Sequence, residues 1–172
     1  MPPNEPNSLN SQQIHNLNPN KLHFIQHQHN ENICQPVIPK KAHPSDIGYD
    51  LTLVRKVKQI NDKTVMFDSS ISILPPENHY IEIVPRSSLS KFGYVMTNSI
   101  GIIDPTYRGT LKVVLTKVVD SADDIQLPFT RFQLILRKQH DTDVEIHYLN
   151  NDQMMEFSES TTRGTGGFGS TD

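Results

Sequence analysis

A segment near the C terminus combines an arginine with a glycine-rich backbone. Arg163 precedes four glycines within six residues, and Phe168 is the aromatic side chain among them. Glycines let a backbone curl so that successive N–H groups converge on an anion, and arginine adds a fork of donors suited to phosphate. An aromatic ring in such a loop can stack on a nucleobase. The segment indicates a nucleotide clamp, with a flexible tail as the alternative.

A second segment, residues 85–89, carries groups that bind anions. Arg86, Ser87 and Ser88 follow a strand pattern and begin a predicted helical turn. Guanidinium, hydroxyl and helix-start amide groups are all ligands for phosphate. Taken alone, a surface helix cap is the commoner explanation of these serines.

A third segment, residues 98–109, carries a carboxylate that could move a proton. We predict a hairpin in which Asp104 lies at the end of the apolar stretch 100–103. A carboxylate in that position is a candidate general base. A turn formed by Asp104 and Pro105 explains the same residues about equally well.

The composition excludes several classes of function. The 172 residues carry 16 basic and 19 acidic side chains, so no summed positive field exists to hold a polymeric nucleic acid. Cys34 is the single cysteine, which excludes an intrachain disulfide and a multi-cysteine zinc site. The sequence shows neither a secretory leader nor an apolar run long enough for a membrane span. We expect a soluble intracellular protein, cytoplasmic or nuclear.

The composition also divides the chain into three parts. Residues 1–20 are rich in Asn, Pro, Gln and Ser, which predicts a disordered polar tail. Residues 21–157 are predicted to fold as one β-domain, and the glycine-rich residues 158–172 as a mobile arm. We assign no metal site to the histidines of the polar N-terminal sequence, because its composition favours a solvated segment. These histidines are His15, His23, His27 and His29.

Short runs with an apolar residue at every second position predict the strands that must position these segments. The first strand is predicted near Leu22 and Phe24, and proline and asparagine breakers separate the later runs at roughly 8 to 15 residues, the spacing of a sandwich or jelly roll. The one helix candidate is residues 87–92. An all-β fold follows. The alternating runs are Val65 to Phe67, Ile71 to Ile73, Ile81 to Ile83, Leu111 to Leu115, Phe132 to Leu136 and Val144 to Tyr148.

Five segments, taken in order, resemble the motifs of the trimeric deoxyuridine triphosphatases (dUTPases). They are residues 47–51, 85–89, 98–109, 133–135 and 163–171, and the resemblance runs from about residue 22 to 172. It implies a jelly-roll-like β-clip domain, a closed homotrimer with shared active sites, and a C-terminal arm that closes over a site. It also implies Mg²⁺-dependent hydrolysis of dUTP to dUMP and pyrophosphate, which limits uracil in DNA and supplies dUMP for dTMP synthesis.

The resemblance assigns base and sugar recognition to the third segment. Asp104 matches the family residue that activates water for attack on the α-phosphorus. Asn98, with backbone groups around Gly101, matches the reader of the uracil edge. Tyr107 matches the tyrosine that packs under the deoxyribose and leaves no room for a 2′-hydroxyl.

The resemblance assigns the phosphates, the metal and the closing arm to the other segments. Asp50 matches a carboxylate that reaches Mg²⁺ through water. Gln133 matches a contact near the α-phosphate and Arg163 a contact to the terminal phosphate. Within the arm, Phe168 is expected to cover the base. The remaining predicted substrate contacts are Arg86, Ser87 and Ser88 at the phosphates, and Gly169 and Ser170 in the arm.

The chain departs from the family pattern in four places. Ser88 replaces a usual glycine, and Thr106 replaces an acid often found after the catalytic aspartate. Arg131 lies one residue too close to Gln133, so we carry over no role for it. Extra residues between about 30 and 39 leave the register of the first strand open.

Two rival functions remain. A dCTP deaminase shares the expected fold, but needs a glutamate and an arginine where this chain has Val114 and Lys91. A catalytically silent trimeric scaffold is the other, and the combination of Asp104, Tyr107 and Arg163 argues against it. The asparagine-rich tail is compatible with a viral or a protist source.

Overall fold

The computed structural model describes residues 12–13, 16–28 and 34–166, and β-strands dominate this part of the chain. It divides into two compact units, Met1–His140 and Asp141–Asp172. A 3-10 helix, Ser87–Lys91, lies in the first unit, and an α-helix, α1 (Asn151–Glu159), in the second. The strands are β1 (His23–Gln26), β2 (Tyr49–Leu53), β3 (Arg55–Asn61), β4 (Thr64–Asp68), β5 (Ile71–Leu74), β6 (His79–Pro85), β7 (Tyr94–Met96), β8 (Gly101–Ile103), β9 (Lys112–Lys117) and β10 (Phe129–Lys138).

Two four-stranded antiparallel sheets enclose the core of the first unit. Their strand orders are β2-β10-β6-β8 and β3-β4-β9-β7, and β1 pairs with β5 in a separate ribbon. Alternate residues of the facing strands point into one apolar cluster, as the period of two requires. The all-β prediction is confirmed. Fully buried members of the cluster include Leu51, Leu53, Ile83, Leu111, Leu115, Phe132 and Leu134.

Strand β10 organises the first sheet. It lies between β2 and β6, with Gln133 opposite Asp50 on one side and Val84 on the other. Phe132 and Leu134, which flank Gln133, are fully buried. Because successive side chains of a strand alternate between faces, Gln133 points away from the core.

The predicted first strand is confirmed as β1. Phe24 packs edge-on against Tyr49 with 5.5 Å between ring centroids, which attaches the ribbon to the first sheet. Most of the predicted tail, including His15, and also His29 lie outside the described residues. No described helix is long and apolar enough to cross a membrane.

Three expectations about local structure are wrong. The run from Val144 to Tyr148 is not a strand in this chain, and its apolar side chains are 73–90% exposed. Residues 151–159 form α1, although residues 87–92 were the one predicted helix. Residues 98–109 are not a β-hairpin, because β7 and β8 belong to different sheets and β8 pairs with β6.

Candidate active site

One group of predicted site residues meets near the start of β2, the end of β6 and the middle of β10. Arg86 Nη1 donates to Asp50 Oδ2 at 2.7 Å, and both side chains are about one-third exposed. Gln133 lies opposite Asp50 in the register of β10 and β2. A side chain at Gly48 would collide with the Gln133 amide, so the glycine before β2 leaves the space that this amide fills. Asp50, Arg86 and Gln133 thus form one polar cluster.

Ser87 and Ser88 open the 3-10 helix beside that cluster. Arg86 precedes the helix in an extended conformation, and its N–H donates to the Arg131 carbonyl at 2.8 Å. Leu89, 4% exposed, anchors the helical turn in the core. Ser88 is not among the non-glycine residues with positive φ, so serine fits here without the strain that a glycine-only conformation would impose.

The turn between β7 and β8 presents Asn98. Its tight shape depends on Ser99, which has φ of 59°, and on the Ile100 N–H, which donates to the Asn98 carbonyl at 2.6 Å. The Asn98 Nδ2 atom lies 3.7 Å from the position that a Cβ atom of Gly101 would take. The same Cβ atom would be 3.1 Å from Met96, so glycine permits the close packing here. Asn98 and Gly101 are therefore neighbours.

The loop after β8 exposes Asp104, and hydrogen bonds made by Tyr107 fold the loop back on itself. The Tyr107 N–H donates to the Asp104 carbonyl at 3.0 Å, and the Tyr107 hydroxyl donates to the Thr110 carbonyl at 3.1 Å. A Cβ atom at Gly109 would collide with the Tyr107 phenol, so this fold of the loop requires glycine at 109. The Asp104 side chain is left exposed to solvent.

A buried carboxylate that the sequence did not single out anchors this loop. Asp68 is fully buried and accepts hydrogen bonds from Arg55 at 2.6 Å and from the Thr110 hydroxyl at 3.0 Å. The Ser70 N–H also donates to it. A buried carboxylate is tolerated only when it is paired and hydrogen-bonded, as it is here. An acid at the end of an apolar strand was the available sequence signal.

The pairing of β6 with β8 separates the two groups of site residues within one chain. Ile103 lies opposite Ile81, and Asp104 follows Ile103 in the direction away from Arg86. Arg86 lies five positions after Ile81, which is about 16 Å along an extended strand at roughly 3.3 Å per residue. The chain therefore brings Asp50, Arg86 and Gln133 together and holds Asp104 and Tyr107 apart from them.

Arg163 belongs to the second unit, in the turns after α1. Its Nε donates to the Gly166 carbonyl at 3.0 Å, and Gly164 adopts φ of 52°. The guanidinium side chain is exposed. The other predicted arm contacts, Phe168, Gly169 and Ser170, lie outside the described residues.

Arg131 has a structural environment of its own. Its guanidinium lies 4.9 Å from the ring centroid of Phe92 and 5.8 Å from that of Phe129, and Nη1 donates to the Thr130 carbonyl. The register of β10 against β2 shifts between Phe129 and Phe132, at the place where the motif spacing departs from the family. Arg131 stacks on aromatic rings, which supports assigning it no phosphate contact.

The described residues contain no group of three or more His, Cys, Asp or Glu side chains that could hold a metal ion. Asp50 is a single, partly exposed carboxylate already bonded to Arg86. Such a residue cannot form a metal cage, but it fits Mg²⁺ that keeps its water shell and takes its other ligands from substrate phosphates. The donor set is compatible with the water-mediated contact predicted for Asp50.

The chain matches the family model of dUTPase over residues 35–172. It is 30% identical over 174 residues to the deoxyuridine 5'-triphosphate nucleotidohydrolase of Solanum lycopersicum, covering 96% of this chain and 97% of that protein. The Rhodococcus erythropolis protein of the same name is 34% identical over 136 residues, covering 78% of each chain.

Solved structures show the same fold. The Staphylococcus bacteriophage 80alpha dUTPase with dUpNHpp has a TM-score of 0.64 at 17% identity, covering 89% of this chain and 99% of that one. The native EIAV dUTPase has a TM-score of 0.55 at 22% identity, covering 76% and 99%. These neighbours confirm the expected β-clip fold. With the family model matched over most of its length, the chain belongs to the dUTPase family.

Proposed function

We propose that this chain hydrolyses dUTP to dUMP and pyrophosphate. The family membership supports the reaction, and the loop after β8 is the observation that carries it at the level of residues. That loop exposes the Asp104 carboxylate three residues before Tyr107, whose ring is fixed by its bond to Thr110. A free carboxylate beside a fixed aromatic ring suits proton transfer next to a sugar.

Recognition of the nucleoside is assigned to the turn and strand that precede this loop. Asn98 and Gly101 are neighbours, and Asp104 lies three residues beyond Gly101, about 10 Å along the chain. A deoxyuridine lying along β8 would place uracil at the Asn98 amide and the sugar at Tyr107. Amide groups that pair with uracil would be left without partners by cytosine, which opposes its binding.

The triphosphate is assigned to the polar cluster and the 3-10 helix. Arg86 offers a guanidinium, Ser87 and Ser88 offer hydroxyl and amide donors, and Gln133 offers an amide beside them. Arg86 is bonded to Asp50, so a bound phosphate would take over part of its hydrogen bonding. Mg²⁺, when bound, supplies positive charge that offsets the triphosphate, with Asp50 holding its water shell.

The chemical step needs one proton transfer and one displacement. Asp104 takes a proton from a water molecule as the water oxygen bonds to the α-phosphorus. The bond from the α-phosphorus to the oxygen bridging the β-phosphate breaks, and pyrophosphate leaves. Arg86 stabilises the charge of the transferring group, and the Arg163 to Ser170 arm is expected to cover the site and exclude bulk water.

The active site is proposed to be shared between the subunits of a homotrimer. Asp104 must reach the α-phosphate that Gln133 contacts, yet about 16 Å or more separates Asp104 from Arg86 within one chain. A second copy of the chain can supply the carboxylate instead, with its Asp104 beside the polar cluster of the first copy. Exposed Val144, Ile146 and Tyr148 supply apolar surface of the kind that subunit contacts bury.

One assay separates this proposal from its rivals. The purified protein is incubated with dUTP, dCTP, dTTP or UTP and Mg²⁺, while pyrophosphate and ammonia are followed. We expect pyrophosphate from dUTP alone. Ammonia from dCTP would identify a deaminase, for which the structure offers the apolar Val114 on β9 where an acid is needed, and no product at all would identify a silent scaffold.

A further inference from the structure

A chain of hydrogen bonds connects β1 with the loop after β8. His27 Nε2 lies 2.8 Å from Ser72 Oγ, and Ser72 Oγ donates to the Arg108 carbonyl at 3.1 Å. Ser72 is 4% exposed. Its register partner on β1 is Ile25, so His27, two residues further along, is a diagonal neighbour on the same face. The pairing of β1 with β5 therefore brings His27 next to Ser72.

Hydrogen-bond chemistry fixes the direction of this chain. A carbonyl can only accept, and a serine hydroxyl has one hydrogen to give. Because Ser72 gives that hydrogen to Arg108, His27 must donate to Ser72 from a protonated Nε2. Both the Nε2–H neutral tautomer and the imidazolium ion satisfy this requirement.

Arg108 carries the contact into the loop of the proposed active site. Its Nη1 donates to the carbonyls of Pro105 at 2.7 Å and Tyr107 at 3.0 Å. The carbonyl held by Ser72 and the guanidinium that closes the loop thus belong to one residue. Displacement of the Arg108 backbone would therefore move Tyr107.

The N-terminal segment also faces the same loop across a cavity. Lys21 and His23 line a cavity of about 360 Å³ together with Pro105, Thr106 and Arg108. His27 precedes residues 35–172, the range that matches the family model. His27, one of the two residues of this hydrogen-bond chain, therefore lies outside the matched range, whereas Ser72 lies within it.

We propose that His27 and Ser72 are positioning residues that hold Tyr107 in place and so sharpen discrimination between deoxyribose and ribose. This inference rests on the proposed function, in which Tyr107 contacts the sugar. Other hydrogen bonds hold the loop later in the chain. The Thr110 hydroxyl donates to Asp68, and the Leu111 N–H donates to the Ile71 carbonyl at 2.7 Å. Of these contacts, the Ser72 bond is the nearest to Tyr107 in sequence.

The test compares kcat/KM for dUTP and UTP in three variants and one control. Ser72→Ala removes both hydrogen bonds of this chain and His27→Leu removes one, so the ratio of kcat/KM for dUTP to that for UTP should fall about three- to tenfold. His27→Gln keeps an N–H donor and should stay close to the wild-type ratio. Thr64→Val is the control, because it removes a buried hydroxyl bonded to Thr116 at 3.0 Å, away from the loop.

A second measurement does not depend on hydrolysis. Amide hydrogen exchange of residues 106–110 should become faster in Ser72→Ala and His27→Leu and remain unchanged in Thr64→Val. An unchanged sugar ratio with unchanged exchange in folded Ser72→Ala protein would overturn the proposal, as would an equal fall of the ratio in the control. Faster exchange in a protein that does not hydrolyse dUTP would instead contradict the proposed function and leave the positioning contact standing.

Discussion

Two residues predicted to bind the substrate and Mg²⁺ bond to each other. Arg86 and Asp50 are 2.7 Å apart and both partly exposed. An ion pair in that setting contributes roughly 1 kcal/mol or less, because solvent screens the charges. Phosphate and hydrated Mg²⁺ can therefore replace it at little cost. The pair holds the two side chains together at the polar cluster.

Asp104 is expected to act in the chemical step rather than in binding. Asp104→Asn keeps the size of the side chain but removes the proton acceptor, so kcat for dUTP should fall about 10²- to 10⁴-fold. KM should change much less, because the predicted phosphate and base contacts remain. Pyrophosphate release measures kcat, and binding of a non-hydrolysable analogue checks affinity. A loss confined to affinity would contradict the assignment.

Asp68 is expected to matter for stability. Asp68→Ala leaves Arg55 and Thr110 without their buried partner and should cost roughly 3 kcal/mol of unfolding free energy. Urea denaturation followed by circular dichroism measures the change. Asp120→Ala is the matched control, because Asp120 pairs with Lys63 at the exposed surface, and it should leave the midpoint almost unchanged. Equal midpoints for the two variants would argue against a buried anchor.

Among the elements, α1 is held by its N-terminal cap rather than by packing. The Asn150 side chain accepts from the Gln153 N–H, and the Gln153 side chain accepts from the Asn150 N–H, which is a reciprocal capping box. None of its residues is buried, and Met154, Met155 and Phe157 are 58–71% exposed. The helix therefore depends on local hydrogen bonds.

Loss of this cap should reduce the helix population. Asn150→Ala removes the side-chain acceptor, which typically costs about 1 kcal/mol, or roughly a fivefold change in the helix–coil equilibrium. Backbone chemical shifts of residues 151–159 report the change. Asn151→Ala, one residue later and outside the capping box, should leave those shifts helical. Equal shifts in both variants would mean that contacts other than the cap maintain α1.

At the scale of the whole molecule, the register of β6 and β8 supports the proposal that each active site is shared between subunits. Mixing Asp104→Asn chains with Arg86→Ala chains tests this directly. In random trimers with shared sites, about one quarter of the sites would combine an intact Asp104 with an intact Arg86. Activity should recover to about that fraction of wild type after co-refolding. Mixtures without any recovery would place both residues of each site in one chain.

The sequence by itself determined the fold class and the family. Alternating apolar residues such as Ile81 and Ile83 are local signals, and the motif residues Asp50, Arg86, Asn98, Asp104 and Gln133 are recognisable by type and order. The helical turn after Arg86 was also predictable from local sequence signals. These features depend on near neighbours in the chain.

Only the tertiary structure decided which of these residues meet. Strand pairing joins Asp50 to Gln133 across 83 positions of sequence and holds Asp104 away from Arg86, although these two are closer in sequence. Thr110 bonds to Asp68 and Arg108 to Ser72 from a loop that lies 42 and 36 positions further along the sequence, so no local pattern indicates these contacts. The predicted strand at Val144 failed because a strand needs a partner edge, which its own alternation cannot supply.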